Sequence, residues 1–435
     1  MISWSAAEVA AAAGAELVAD AEGGPVRAAI DTREVAAGDL FVGLVGERVD
    51  GGRFAGDALA AGAWGVLVGP SHADGLSGGA VLVADDPLAA MQRLATAWRR
   101  ALDAAVIGVT GSVGKTSTKQ LIAALVAPWR RVAANPANFN TEIGLPLAVL
   151  AAPEGTEVLV LEMGMRGFGQ IDELARIAEP DVGVITNIGP VHLELVGSLE
   201  GVARAKGELL AHVPVAVVPA DEPLLEPYLH GDVVRVGEDV VLERFEPPHV
   251  SIRARELAVS LEVPFTARHQ LTNLLAAVAA AQAVGVEPSG RVDVSFGALR
   301  GERIELDSGV VVINDCYNAN PLSMRAALDD LATQAPPGGR RVAVLGDMLE
   351  LGAGEVEEHR ALGAYAASSG VDVVLAVGPL SAELESSFGG EFHHVADAAA
   401  AASLVGSLVR PGDVVLVKAS RGIGLETVAE ALARG

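Results

Sequence analysis

The sequence has few thiols, amines and side-chain amides. Its 435 residues hold one cysteine, Cys316. A single thiol excludes an intrachain disulfide and a thiolate metal cluster, and it suits a reducing compartment. Residues 1 to 20 carry Glu8 and Glu16 and no lysine or arginine, so they are not expected to act as a signal peptide. No apolar run is long enough for a bilayer, since the best one, Leu274 to Val286, is short and interrupted by Gln282. Positive charge is scarce, with 31 basic against 56 acidic residues and a net charge of −25. Such a chain repels phosphate backbones and anionic lipid, so neither nucleic acid nor membrane is expected as a partner. We expect a cytoplasmic protein without a membrane span, and a monomer. Any nucleotide it binds must be held by a local site.

Lysine is the rarest cation. Only Lys115, Lys119, Lys206 and Lys418 occur, and there are eight asparagines, at 135, 138, 140, 187, 273, 314, 318 and 320. The general preference for arginine explains the shortage. A lysine that persists against it marks a place that needs a compact ammonium for phosphate, or an amine able to react.

What is present is a globular composition, 51% hydrophobic and 20% charged, with length for two to four domains. From about residue 100 onward, short β-rich runs alternate with Ala-rich helical stretches. The candidate strands are 106–110, 158–162, 182–187, 215–220, 310–314, 341–346, 371–377 and 414–418. Alternation of this kind predicts an α/β chain with parallel sheets covered on both faces. Residues 1 to about 100 read as a separate unit that ends in a helix from Pro87 to Arg100, and a second break falls near Gly301.

The sharpest local signal runs from Val106 to Ser117, Val-Ile-Gly-Val-Thr-Gly-Ser-Val-Gly-Lys-Thr-Ser. A buried strand enters a glycine turn and then a helix. Gly111 and Gly114 let backbone N–H groups of Thr110 to Ser117, including Ser112 and Val113, wrap a phosphate at the helix N-terminus. Lys115 is placed to reach terminal phosphates, and the Thr116 hydroxyl to bind Mg²⁺. This loop alone leaves kinase, switch GTPase, ATPase and ligase open. Glu162 closes the apolar run 158–161, and a carboxylate at the C-terminal end of a parallel strand faces the ligand crevice, where it can hold a metal. His192 follows the 182–187 strand in the same way. Lys206 lies on a predicted helix.

The order of these segments resembles the Mur ligase family. The resemblance rests on Thr110 to Thr116, on Asn135-Pro-Ala-Asn-Phe-Asn-Thr-Glu-Ile-Gly-Leu-Pro146, and on Glu162-Met-Gly164. It continues through Asn187-Ile-Gly-Pro-Val-His192, Ala205-Lys-Gly-Glu208 and Arg268-His-Gln-Leu-Thr-Asn273. Arg303, Asp315-Cys-Tyr-Asn-Ala-Asn-Pro321 and Lys418-Ala-Ser-Arg421 complete it. It implies three domains: a UDP-substrate-binding α/β domain at 1–100, a central P-loop ATPase domain with a parallel sheet at 101–300, and a C-terminal Rossmann-like domain at 301–435. It implies ATP and Mg²⁺ as cofactors. Lys115, Thr116 and Glu162 would serve the phosphates and a first metal, and His192 with a carbamylated Lys206 a second one. Asn273 would contact adenine, Arg303 the terminal phosphate, and Asp315 and Tyr317 the ribose side. Asn138, Asn140 and Thr141 would meet the acyl-accepting end of the substrate.

Three departures touch these motifs. Ala267-Arg-His-Gln270 stands where the family has Gly-Arg-His-Asn, Ala419 replaces a glycine, and Gly169-Gln-Ile171 replaces Gly-Glu-Ile. Within the family, the run from Asp31 through Thr32 and Arg33 to Asp50 resembles the uridine-nucleotide domain shared by two branches. One adds the third peptide residue and the other adds D-alanyl-D-alanine. No Asp-Asn-Pro-Arg occurs, whereas Tyr317 to Met324 and Gly346-Asp-Met-Leu-Glu-Leu-Gly352 resemble the second branch. The expected substrates are therefore UDP-N-acetylmuramoyl-tripeptide and D-alanyl-D-alanine. The third-residue branch is the alternative, and a kinase, a switch protein or an inactive nucleotide-binding scaffold are the readings from other classes.

Overall fold

The computed structural model describes residues 4–136, 138–297, 299–334 and 338–434. Its strands form three sheets. The first has five strands in the order Glu16–Ala19, Ala80–Val83, Gly65–Val68, Leu40–Val42, Ala28–Ala29, parallel except for the first pair. The third has six, in the order Glu302–Glu305, Val311–Asn314, Val414–Lys418, Arg341–Gly346, Val373–Val377, Glu391–Val395, again parallel except at the first pair.

The central sheet has ten strands. Its parallel part runs Val132–Ala134, Val158–Glu162, Ala105–Thr110, Val182–Ile185, Val215–Pro219, Asp232–Val236. These are Val-rich runs, and Val158 to Glu162 and Val182 to Ile185 are buried throughout. β-branched side chains fit a pleated surface covered on both faces, and each fully buried Val or Leu contributes about 2 kcal/mol. The sheet then turns antiparallel through Val240–Glu246, His249–Ala254 and Leu257–Glu262, and ends at the short Gly290–Arg291.

The helix Pro87–Leu102 leads into the phosphate-loop strand. Asp86 caps it by accepting from the N–H groups of Leu88 and Ala89, Pro87 opens it, and Arg99 and Arg100 lie at its negative end. Its Trp98 is fully buried and donates to the Ala152 carbonyl at 3.3 Å.

The chain folds into two compact units. One comprises Met1–Thr186, Arg204–Pro264 and Asn273–Asp293, with the first and central sheets. The other comprises Asn187–Ala203, Phe265–Thr272 and Val294–Gly435, with the third sheet. Among the described residues no helix is long and apolar enough to cross a membrane.

Candidate active site

In the first unit the three adjacent strands Ala105–Thr110, Val158–Glu162 and Val182–Ile185 end side by side, and their C-terminal ends carry the phosphate loop, Glu162 and Thr186. The loop is tightly packed. Gly111 has φ +147°, and a Cβ there would collide with Thr186 Oγ1. Gly114 has φ +85°, and a Cβ would strike the Asn273 side chain. Both positions therefore require glycine. Thr186 Oγ1 donates to the Val113 carbonyl at 2.5 Å and holds the loop from below. The helix Lys115–Val126 begins directly after Gly114, so its N-terminal N–H groups and dipole lie at the loop. Lys115 Nζ donates to the loop's own Gly111 carbonyl at 2.7 Å. Thr110 Oγ1 is buried without a hydrogen-bond partner.

Glu162 is 3% exposed and is held on both carboxylate oxygens. Thr116 Oγ1 donates to Oε2 at 2.8 Å, and Asn140 Nδ2 donates to Oε1 at 2.8 Å. The Glu162 main chain is pinned by Asn135, whose Oδ1 accepts from its N–H at 2.8 Å and whose Nδ2 donates to its carbonyl at 3.0 Å. Lys119, one helical turn beyond Lys115, is also buried. Its Nζ lies 3.5 Å from Glu162 Oε2 and donates to the Asn135 carbonyl at 2.6 Å. Asn135 and Lys119 were not among the predicted site residues; the scarcity of both residue types was the available signal.

A hydroxyl and an anionic carboxylate on hard oxygen suit Mg²⁺, and a glycine loop at a helix N-terminus suits a nucleoside triphosphate. The residues present therefore fit both groups. Asn138 and Thr141 lie on the same loop as Asn140: Asn140 N–H donates to the Asn138 carbonyl at 2.7 Å, and Thr141 Oγ1 accepts from Gly144 N–H at 3.3 Å.

Lys206 lies on the helix Leu199–Gly207 and is 2% exposed. Burial pushes its ammonium well below the ordinary lysine range, and the charge of Lys115 pushes it further. The neutral, nucleophilic amine is thereby favoured over the ammonium. Thr32 and Arg33 lie on the short 3₁₀ turn Thr32–Glu34, with Arg33 exposed and paired to Asp31.

Ser117 and Asn273 belong to the first unit, and the second unit holds His192, Arg303, Asp315 and Tyr317. Lys418, 2% exposed, donates to Asp315 Oδ2 at 2.7 Å and to the Asn318 carbonyl at 2.8 Å. The Arg300 guanidinium stacks 3.6 Å over the Tyr317 ring. Arg303 reaches Gln334 and Glu305. His192 Nδ1 lies 2.7 Å from Glu350 Oε2. Ala419, the substituted motif position, is fully buried; a Cβ on Gly346 would fall 2.6 Å from that of Ala419, so glycine at 346 makes room for the alanine.

The Mur ligase middle domain matches residues 109–281, and the Mur ligase glutamate ligase domain matches residues 299–421. The UDP-N-acetylmuramoyl-tripeptide–D-alanyl-D-alanine ligase of Bacillus subtilis is 39% identical, over 93% of this chain and 92% of its own. That of Escherichia coli is 34% identical over 92% of each. Among solved structures, MurF from Acinetobacter baumannii superposes with a TM-score of 0.89 at 28% identity, covering 100% of this chain and 99% of its own. MurF from Thermotoga maritima, in complex with ADP, superposes with a TM-score of 0.80 at 29% identity, covering 94% and 97%.

Proposed function

Since the chain belongs to the Mur ligase family, we propose that it is the ATP-dependent ligase joining D-alanyl-D-alanine to UDP-N-acetylmuramoyl-tripeptide in peptidoglycan precursor synthesis. The observation that carries the chemistry is the double hold on Glu162. One oxygen meets Thr116 of the phosphate loop and the other meets Asn140 of the loop assigned to the acyl end of the substrate. A single carboxylate thus links the nucleotide side to the carboxylate side. The choice of amine is supported by similarity along 93% of the chain and by the 346–352 segment.

A carboxylate is a poor electrophile toward an amine. Transfer of the ATP terminal phosphoryl group makes it an acyl phosphate and releases ADP. The dipeptide amine then attacks the carbonyl and gives up a proton, and phosphate leaves with the C–O electron pair. Bound magnesium would neutralise phosphate charge as the two anions approach. Thr116 and Glu162 would hold one ion, and His192 and Lys206, the latter as a carbamate, would each serve as a metal ligand. Lys115 and the loop N–H groups orient and stabilise the phosphates. Asn273 is assigned to adenine, Arg303 to the terminal phosphate, Asp315 and Tyr317 to the ribose side, and Thr32 and Arg33 to the uridine nucleotide. Asn138, Asn140 and Thr141 are assigned to the peptide carboxylate. We propose domains at 1–100, 101–300 and 301–435, one for each sheet, in a cytoplasmic monomer.

The test is ADP release with UDP-N-acetylmuramoyl-tripeptide, with and without D-alanyl-D-alanine, and the product's mass. Release that depends on the dipeptide, with the mass of the joined product, is expected. A diamino acid added to a dipeptide substrate would move the chain to the third-residue branch. Phosphate transfer to another acceptor would make it a kinase.

A further inference from the structure

We propose that Glu350 is the positioning residue of His192, its carboxylate holding the imidazole as the Nδ1–H tautomer so that the lone pair stands on Nε2. The two side chains meet at 2.7 Å within the second unit. Both backbones are left-handed, with φ +53° at His192 and +63° at Glu350, two of only six non-glycine residues with positive φ among the described residues. L residues hold that conformation only where their surroundings impose it.

The surroundings do so at 350. The three preceding residues are each fixed. Asp347 Oδ1 accepts from Ser381 N–H and Oγ–H, both at 2.7 Å, and its carbonyl accepts from Ser420 N–H at 3.1 Å. Met348 N–H donates at 3.0 Å to Nε2 of the fully buried His359, whose Nδ1 donates to the Glu355 carbonyl at 2.6 Å. Leu349 N–H donates to Ser420 Oγ at 3.0 Å. The clamped loop then turns at 350 and aims one carboxylate at one imidazole.

Stability does not account for this arrangement. The Glu350 side chain is 52% exposed and that of His192 27%. A pair so exposed contributes little to folding, yet it is built from two unfavourable backbones. A carboxylate on the far nitrogen of a histidine is the usual device for setting its tautomer and raising its basicity as a ligand. Sequence similarity drew attention to residues 346–352 without giving Glu350 a task.

The inference rests on the reading of His192 as a magnesium ligand, and the experiment separates the two. Full-length protein labelled with [15N]histidine is examined by NMR without metal, and the His192 resonances are identified by their loss in His192→Gln. Parent protein should show a protonated Nδ1. Glu350→Ala should shift His192 toward the Nε2–H form and raise the Mg²⁺ concentration needed for ADP release about 10- to 100-fold, with an unchanged melting temperature. Glu350→Gln, which keeps an acceptor, should recover part of both. An unchanged tautomer in Glu350→Ala overturns the proposal, even if activity falls. If His192→Gln keeps the parent's magnesium dependence, the metal reading of His192 fails, while the tautomer still decides whether Glu350 sets the ring.

Discussion

Thr116 Oγ1 donates to Glu162 Oε2 at 2.8 Å, which joins the first turn of the phosphate-loop helix to the end of the neighbouring strand. A hydroxyl and a carboxylate in that contact form a donor set for a hard cation. Glu162→Gln keeps an oxygen acceptor for Thr116 and removes the charge. ADP release should fall about 100-fold, or ~2.7 kcal/mol of transition-state stabilisation. The magnesium requirement should rise as well. A titration of rate against Mg²⁺ that overlays the parent's would remove Glu162 from the metal site.

Lys115→Ala should abolish ATP turnover and leave the fold intact. The ammonium is partly exposed and bonds the loop's own Gly111 carbonyl, so it is no packing element. Steady-state ADP release and a thermal melt on the same preparation check this. Turnover near the parent rate would refute the phosphate-loop assignment.

Lys206 should carry a carbamate in the active enzyme. Carbamylation needs a neutral amine: nitrogen attacks carbon dioxide, a C–N bond forms, and a proton is released. Burial, and then the charge of Lys115, shift the amine toward that neutral form. Parent protein equilibrated with ¹³C-bicarbonate should show a carbamate resonance that Lys206→Ala lacks. Lys206→Ala should be inactive and partly rescued by a short carboxylic acid, because the missing group is an anion. Lys206→Arg should be equally inactive; if it retains most of its activity, the carbamate idea is wrong.

Cys316 should be inert and should weaken the fold only in alkali. Burial pushes its thiol up from 9.0 to about 12, with Asp315 adding to the effect. The folded pKa exceeds the unfolded one, so this contribution is fully present below pH 9 and is lost as pH rises toward 12. Urea melts between pH 8.5 and 10.5 should show parent stability falling faster than that of Cys316→Ala, by at most about 1.4 kcal/mol per pH unit. Iodoacetamide at pH 8 should label the thiol only after unfolding. Rapid labelling of native protein would contradict the burial.

The parallel strands were legible because they are short Val/Ile runs buried on both faces, and 158–162, 341–346 and 414–418 match the expected limits. The antiparallel extension from Val240 to Glu262 was not foreseen. Val240–Glu246 is mostly exposed, the next two strands alternate buried and exposed positions, and the three carry Glu243, Arg244, Glu246, Arg253 and Glu262, so no long apolar run announces them. The phosphate loop could be read because its chemistry is local in sequence. Lys119 could not, since its partners Asn135 and Glu162 come from other elements and only the sheet brings them together. The same holds for Glu350, whose meaning depends on a backbone turn and on a histidine far away in the chain. Asn187–Ala203 and Phe265–Thr272 cluster with the third sheet through contacts that no local pattern encodes.

The burial of Lys119, Lys206 and Lys418 has a practical consequence for labelling chemistry. An amine-directed reagent meets one accessible lysine side chain on the native protein, Lys115, and it stands in the phosphate loop. Acylation or reductive alkylation of lysine side chains on native protein would therefore report on the nucleotide site. The same scarcity makes random lysine coupling to a sensor surface a poor way to immobilise this protein, since the one accessible lysine is the one that must stay unmodified.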